Sequence, residues 1–322
     1  MCPIPYFIIT SRLQKELAMP PCLNPEKKPH QVNPFFLILL HTTVRGWMKT
    51  DWQVRTKHFQ MATNNRQGEL WGTAPEHWAL YLETTFIPVY KKIINKSRLS
   101  KDANVLDIGC GSGLFLKMVE ARGAGVTGID LSDPLLKIAR ERNPSAVLLN
   151  QDMHYLPFAD ERFDLVTGFN SFQYADDMME VLKEIKRVLK DDGRLVVGVW
   201  GSAAECESLE VLNSIASLLP DRDPGSPGPL ALSQSGKVEQ LLAAAGFNIS
   251  DNSTIECPWN FSTQQDALNG ILSAGPSVEA INFAGLDKVK ERLLDALAPF
   301  NIYDEIYVLE NAFHYYIAGK VL

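Results

Sequence analysis

From about residue 104 to 200 the chain alternates short apolar runs with amphipathic stretches. This is the pattern of parallel strands joined by helical crossovers. The strand candidates are Asn104 to Ile108, Gly125 to Ile129, Ala146 to Leu149, Phe163 to Phe169 and Leu195 to Trp200. Helices are expected near 113–122, 132–142 and 176–190. In the last, Met178, Val181, Leu182, Ile185, Val188 and Leu189 form one stripe. Acids at its start and Lys186, Arg187 and Lys190 at its end suit the helix dipole. Asp192-Gly193 should turn the chain into the fifth strand.

Upstream, Thr73-Ala74-Pro75-Glu76 reads as a capping box with an early proline. A helical stripe follows (Trp78, Leu82, Phe86, Val89, Tyr90, Ile93), which Pro88 should kink or split. Downstream, a helix is expected near 204–218, then a Pro/Gly-rich loop over 220–229, then a helix from Ser235 to Ala245 closed by Gly246. Ile255 to Phe261 and Ala312 to Ala318 read as the last two strands, with Phe313, Tyr315 and Ile317 alternating. About fifty residues with two or three helices should separate them. Residues 1–60 show neither period nor caps. They read as a poorly ordered extension, one version of which is a translation start placed upstream of Met61, and residues 61–322 as a single domain. The runs Ile4–Ile9 and Phe35–Leu40 are far shorter than the roughly 20 residues of a membrane helix.

Composition narrows the function. With 31 Lys+Arg against 38 Asp+Glu the net charge is −7, and no basic block occurs. That disfavours nucleic acid held by phosphate neutralisation. The five cysteines are scattered, without metal-ligand spacing, so neither a disulfide framework nor a zinc site is expected and a reducing cytoplasm is the default.

The chemistry concentrates in Asn104-Val105-Leu106-Asp107-Ile108-Gly109-Cys110-Gly111-Ser112-Gly113, a strand running through alternating glycines into a helix. Glycine serves where backbone turns tightly and a ligand approaches closely. The dinucleotide pattern fails at Leu114, and no Gly-Lys-Ser/Thr follows for a P-loop. The second strand ends in Gly128-Ile129-Asp130, a carboxylate suited to ribose hydroxyls. The third ends in Asn150-Gln151-Asp152-Met153, a second acid at the same carboxyl edge.

These segments resemble the class I S-adenosylmethionine-dependent methyltransferases, and within them the small-molecule group that includes the ubiquinone/menaquinone C-methyltransferases. Gly128 to Ser132, Leu156-Pro157-Phe158 with Arg162 to Val166, and Leu182 to Lys190 with Gly193-Arg194-Leu195 extend the likeness over residues 75–200. The resemblance implies a Rossmann-like, seven-stranded, mostly parallel α/β sheet with helices on both faces. A helical lid would come from 70–97, 202–230 and 262–305, its aromatics Trp78, Tyr81, Trp259, Phe261 and Tyr303 forming an apolar pocket.

It also implies site roles. Asp107, Gly109, Cys110, Gly111 and Gly113 would surround the methionine end of S-adenosylmethionine. Asp130 would take the ribose and Leu131 the adenine. Asp152 and Met153 would meet the adenine edge, and Asn170 would lie near the amino group, mainly through its backbone. Where relatives often carry a histidine pair stand Gln173-Tyr174, so no obvious base is present. Tyr174 is either a substrate-orienting hydroxyl or a rim aromatic, and His154 either a substrate-facing group or a structural one. The expected activity is methyl transfer to a small organic molecule, leaving S-adenosylhomocysteine, by a monomer or homodimer without nucleic-acid or membrane partners. The alternatives are a cofactor-binding member of the fold without methyl transfer, or a macromolecule methyltransferase.

Overall fold

The computed structural model describes residues 66–220, 228–303 and 305–321. Every described residue lies in one compact unit, Lys57–Leu322. The expected extension over 1–60 and its apolar runs fall outside the described residues.

Continuous apolar runs give strands covered on both faces. β1 (Asn104–Ile108) is parallel to β2 (Gly125–Asp130) on one side and to β4 (Phe163–Phe169) on the other. β3 (Val147–Asn150) flanks β2, and β5 (Leu189–Trp200) flanks β4. β10 (Ala312–Lys320) then enters antiparallel between β5 and β6 (Phe247–Glu256). The order β3-β2-β1-β4-β5-β10-β6 is the expected seven-stranded, mostly parallel sheet.

Period-2 alternation divides the core in two. Val105, Leu165, Val196, Phe313, Tyr315 and Ile317 face α1 (Ile87–Ser97) and α2 (Leu114–Glu120). Leu106, Ile108, Val166 and Val197 face α4 (Met178–Val188) and α6 (Lys237–Ala244), while α3 (Asp133–Arg142) crosses from β2 to β3 and α5 spans Ser208–Ala216. Among the described residues, no helix is long and apolar enough to cross a membrane.

Several local expectations need correction. Ala74, not Thr73, precedes the first helical turn at Pro75–His77, and the Thr73 hydroxyl instead donates to Glu69 O at 3.0 Å. The helix expected from there is broken into a π-helical turn (Trp78–Leu82), a 3-10 turn (Glu83–Phe86) and α1, which starts with Pro88 in its first turn. That is the split the proline demands. Asp192-Gly193 does not end one element before another. The pairing jumps from Phe163↔Leu189 to Leu165↔Arg194, so these residues bulge out of a strand already begun.

The strand expected over Ile255–Phe261 is divided at Cys257-Pro258, since proline cannot donate to a ladder. Ile255 and Glu256 end β6, whereas β7 (Trp259–Phe261) belongs to a separate three-stranded sheet with β8 (Asn301–Tyr303) and β9 (Ile306–Leu309). Three helices, α7 (Gln264–Leu272), α8 (Gly275–Ala284) and α9 (Leu286–Leu297), fill the insertion as expected.

A chain beginning at Met61 retains every described residue. Scanning calorimetry should place its melting temperature within about 3 °C of the full chain, the shift that about 1 kcal/mol produces in a domain of this size. A drop beyond roughly 8 °C would show that the removed segment supports the domain.

Candidate functional site

At the end of β1 the backbone turns through Gly109, whose φ is +73°. Gly109 N and Cys110 N both donate to Ile129 O, at 2.8 and 3.0 Å, and Gly111 N donates to Asp130 Oδ2 at 2.9 Å. The glycine loop is therefore hooked onto the end of β2. A Cβ on Gly109 would lie 2.4 Å from Ser171 Cβ, and one on Gly113 2.6 Å from Asn143 Nδ2, so both positions exclude side chains by packing. Gly111 differs. Its missing Cβ would face the cleft, 3.5 Å from both Glu83 Oε1 and Trp78 Nε1. That is a cradle for a ligand.

The cleft holds about 810 Å3 of space including its open mouth. Its two ends differ. Leu131, Leu135, Met153 and Gln151 line one, close to Asp130. Trp71, Trp78, Phe86, Tyr90, Phe169 and Tyr174 line the other, with Glu83 and Asn170 among them. Asn170 holds φ +52°, a left-handed conformation asparagine tolerates, and its side-chain oxygen accepts from Gln173. An apolar slot, a carboxylate and a glycine cradle in sequence fit a nucleoside bearing a polar tail. S-adenosylmethionine is such a molecule.

Of the residues singled out from sequence, Gly109, Cys110, Gly111, Asp130, Leu131, Met153, Asn170 and Tyr174 line the cleft. Asp107, Gly113, Asp152 and His154 do not. Asp107 is buried beneath the loop and accepts from Thr167 Oγ1 at 2.6 Å. Burial raises its pKa to about 8, with Glu83 and Asp130 adding to the rise and the Thr167 hydrogen bond opposing it. Burial also raises the Asp130 carboxyl, against backbone N–H groups of Ser132 and Gly111 that lower it.

His154 is tied at both nitrogens. Nδ1 lies 2.7 Å from Asp152 Oδ1, and Nε2 accepts from Asp177 N at 3.2 Å. Burial disfavours its charged form, yet the hydrogen bond to Asp152 and three nearby acids leave its pKa raised. The ring links the loop after β3 to the start of α4.

The lid also differs from expectation. The cover of the cleft comes from residues 67–90, while none of the described residues in 202–230 or 262–305 lines it. Trp259 and Phe261 are buried in the core, and Tyr303 is 75% exposed. The insertion acts from behind, where Gly275 leaves room for Trp71.

Sequence reasoning missed Glu83. This residue is 3% exposed, and its Oε2 accepts from both Ser112 Oγ and Arg142 Nη1. Arg142 also donates to Ser112 Oγ at 2.7 Å, to Ser112 O at 3.2 Å and to Ala79 O at 3.3 Å. Cover, loop and α3 thus meet at one buried carboxylate. The available signal was an acid three residues before Phe86, at the edge of the apolar stripe.

A family profile described as a methyltransferase domain matches residues 106–197. That segment of the chain, from the start of the sheet to its fifth strand, is similar to a methyltransferase domain. Over 113 residues it is 38% identical to a demethylmenaquinone methyltransferase of Listeria welshimeri, covering 33% of this chain and 48% of that protein. Over 106 residues it is 34% identical to a malonyl-[acyl-carrier protein] O-methyltransferase of Erwinia pyrifoliae, covering 33% and 40%. The chain therefore spans less than half the length of these relatives. A Bacillus halodurans protein assigned as a methyltransferase superposes with a TM-score of 0.51 at 19% identity, over 72% of this chain and 99% of that one, and shares the fold. The methyltransferase domain's matched segment runs from β1 into β5, which supplies the glycine loop, Asp130 and Asn170 but not the cover.

The buried Asp107 gives a pH test. Its folded pKa lies above the unfolded value, so its contribution to stability is present below about pH 4 and lost as pH rises through about 8. Asp107→Asn should therefore gain stability relative to wild type as pH increases, by more than about 1 kcal/mol between pH 5 and 9 in urea titrations. A pH-independent difference would show that Asp107 is ionised throughout.

Proposed function

We propose that this protein transfers a methyl group from S-adenosylmethionine to a small, mostly apolar organic molecule by in-line displacement. The observation that carries the reading is one cleft in which the Gly111 cradle and the Asp130 carboxylate run into an aromatic chamber. When bound, the cofactor supplies an activated methyl on a sulfonium. The chain's own residues bind and align. Asp130 would take the ribose, while Leu131 and Met153 would flank the base. Trp71, Trp78 and Tyr174 would exclude water and position the acceptor, Trp71 and Tyr174 meeting edge-on at 5.9 Å. Alignment alone can supply several kcal/mol without proton transfer.

Among the described lining residues there is no histidine or lysine, and the Glu83 and Asp130 carboxylates are already hydrogen-bonded. This favours an acceptor that is nucleophilic on its own at neutral pH, such as an acidic hydroxyl, a stabilised carbanion or an amine. The two relatives differ by name in their acceptors, which supports a choice of acceptor made by the cover residues Trp71 and Trp78 together with Tyr174. The buried free thiols Cys110, Cys206 and Cys257 suit a reducing compartment, and we place the protein in the cytoplasm as a monomer or homodimer.

Calorimetry tests the cofactor half. S-adenosylhomocysteine should bind and raise the melting temperature. Asp130→Ala should weaken binding roughly 10- to 100-fold, and Gly111→Val should abolish it by filling the cradle. Binding of NAD with none of the adenosyl compounds would overturn the assignment.

Turnover tests the mechanism. With saturating cofactor, Tyr174→Phe and His154→Ala should each reduce it by less than about 100-fold, below the middle of the range for a positioned base. A loss near 10⁴-fold in His154→Ala with unchanged cofactor affinity would make His154 the base.

A further inference from the structure

We infer that Glu83 is a cofactor-recognition residue whose Oε1 accepts from the ammonium of the cofactor's amino-acid end; this rests on the reading of the cleft as an S-adenosylmethionine site. The two oxygens of this carboxylate are used unequally. Oε2 takes both Ser112 Oγ and Arg142 Nη1, whereas Oε1 has only a long 3.4 Å contact from Leu114 N. Oε1 is also the atom turned to the cradle, 3.5 Å from the position of the missing Gly111 Cβ. A carboxylate 3% exposed with an under-used acceptor facing a ligand cleft leaves hydrogen-bonding capacity that a cationic donor would satisfy.

The opposite charge has its own place. Trp78 Nε1, which can only donate, lies at the same 3.5 Å from the same point. An acceptor and a donor flanking one corner match the ammonium and the carboxylate of an amino-acid head group. The polarity of the cleft sets the direction. Leu131 follows Asp130 in the chain, Asp130 accepts from Gly111 N at 2.9 Å, and the Gly111 Cβ position lies 3.5 Å from Glu83 Oε1, so a nucleoside seated at Leu131 would send its tail past Gly111 toward Glu83.

A double comparison of ligand and residue tests this by calorimetry. The ligands are S-adenosylhomocysteine and its desamino analogue, which keeps the nucleoside, sulfur and carboxylate but lacks the ammonium. Wild type should prefer S-adenosylhomocysteine by roughly 10- to 100-fold. In Glu83→Gln that preference should fall below about 3-fold, while affinity for the desamino analogue changes little. Ser112→Ala, which loosens the junction but keeps the carboxylate, should retain the preference. If Glu83→Gln weakens both ligands equally, Glu83 only braces the cover and the inference fails. Should Glu83→Gln not fold, the wild-type comparison decides, since equal affinity for the two ligands also overturns it. If neither ligand binds wild type, the reading of the cleft itself is wrong.

Discussion

A single carboxylate buried where three parts of the chain meet holds the site in shape. Glu83 arrives from the cover, Ser112 from the glycine loop and Arg142 from the last turn of α3. Its burial raises the Glu83 pKa, and Arg142 and Ser112 oppose that rise. Breaking such a pair by removing one partner leaves a buried charge uncompensated, at a cost of about 3–5 kcal/mol. The break in helical geometry just before Glu83, a π-helical turn followed by a 3-10 turn, aims the side chain at the loop. This junction ties the cover to the glycine loop, while Phe86 packs on Phe313 of β10 at 4.9 Å.

The sheet supplies the other half of the constraint. β1 and β2 end together, and their hydrogen bonds to the glycine loop place Gly111 beside Asp130. Phe169, at the end of β4, stacks edgewise on Tyr90 at 4.9 Å and packs on Phe115 at 4.8 Å. The floor of the cleft is thus continuous with the core beneath α1 and α2. The part of the protein that resembles its relatives and the part that distinguishes it are packed as one body around the cleft.

What could be read from sequence follows the strength of local signals. β1, β2 and β4 were legible because both faces are covered and the runs are uninterrupted, and the loop was legible because each glycine answers a separate demand. β6 was obscured from Asn248 to Thr254 because an edge strand paired on one side tolerates Asn, Ser and Asp facing solvent. The capping box failed because Thr73 found a carbonyl one turn back, at Glu69. His154 could be read from sequence as either substrate-facing or structural, and the engagement of its second nitrogen by Asp177 N is a contact set by tertiary structure alone. Glu83 was hidden for the same reason: its partners lie 29 and 59 residues away.

Whether Glu83 makes the cover and the glycine loop one body at the cofactor cleft is most directly tested by amide hydrogen exchange with and without S-adenosylhomocysteine. Slowed exchange is predicted both in 109–113 and in the cover from Gly68 to Phe86, as one cooperative unit. Protection confined to 109–132, with the cover exchanging as fast as in the free protein, would contradict the account.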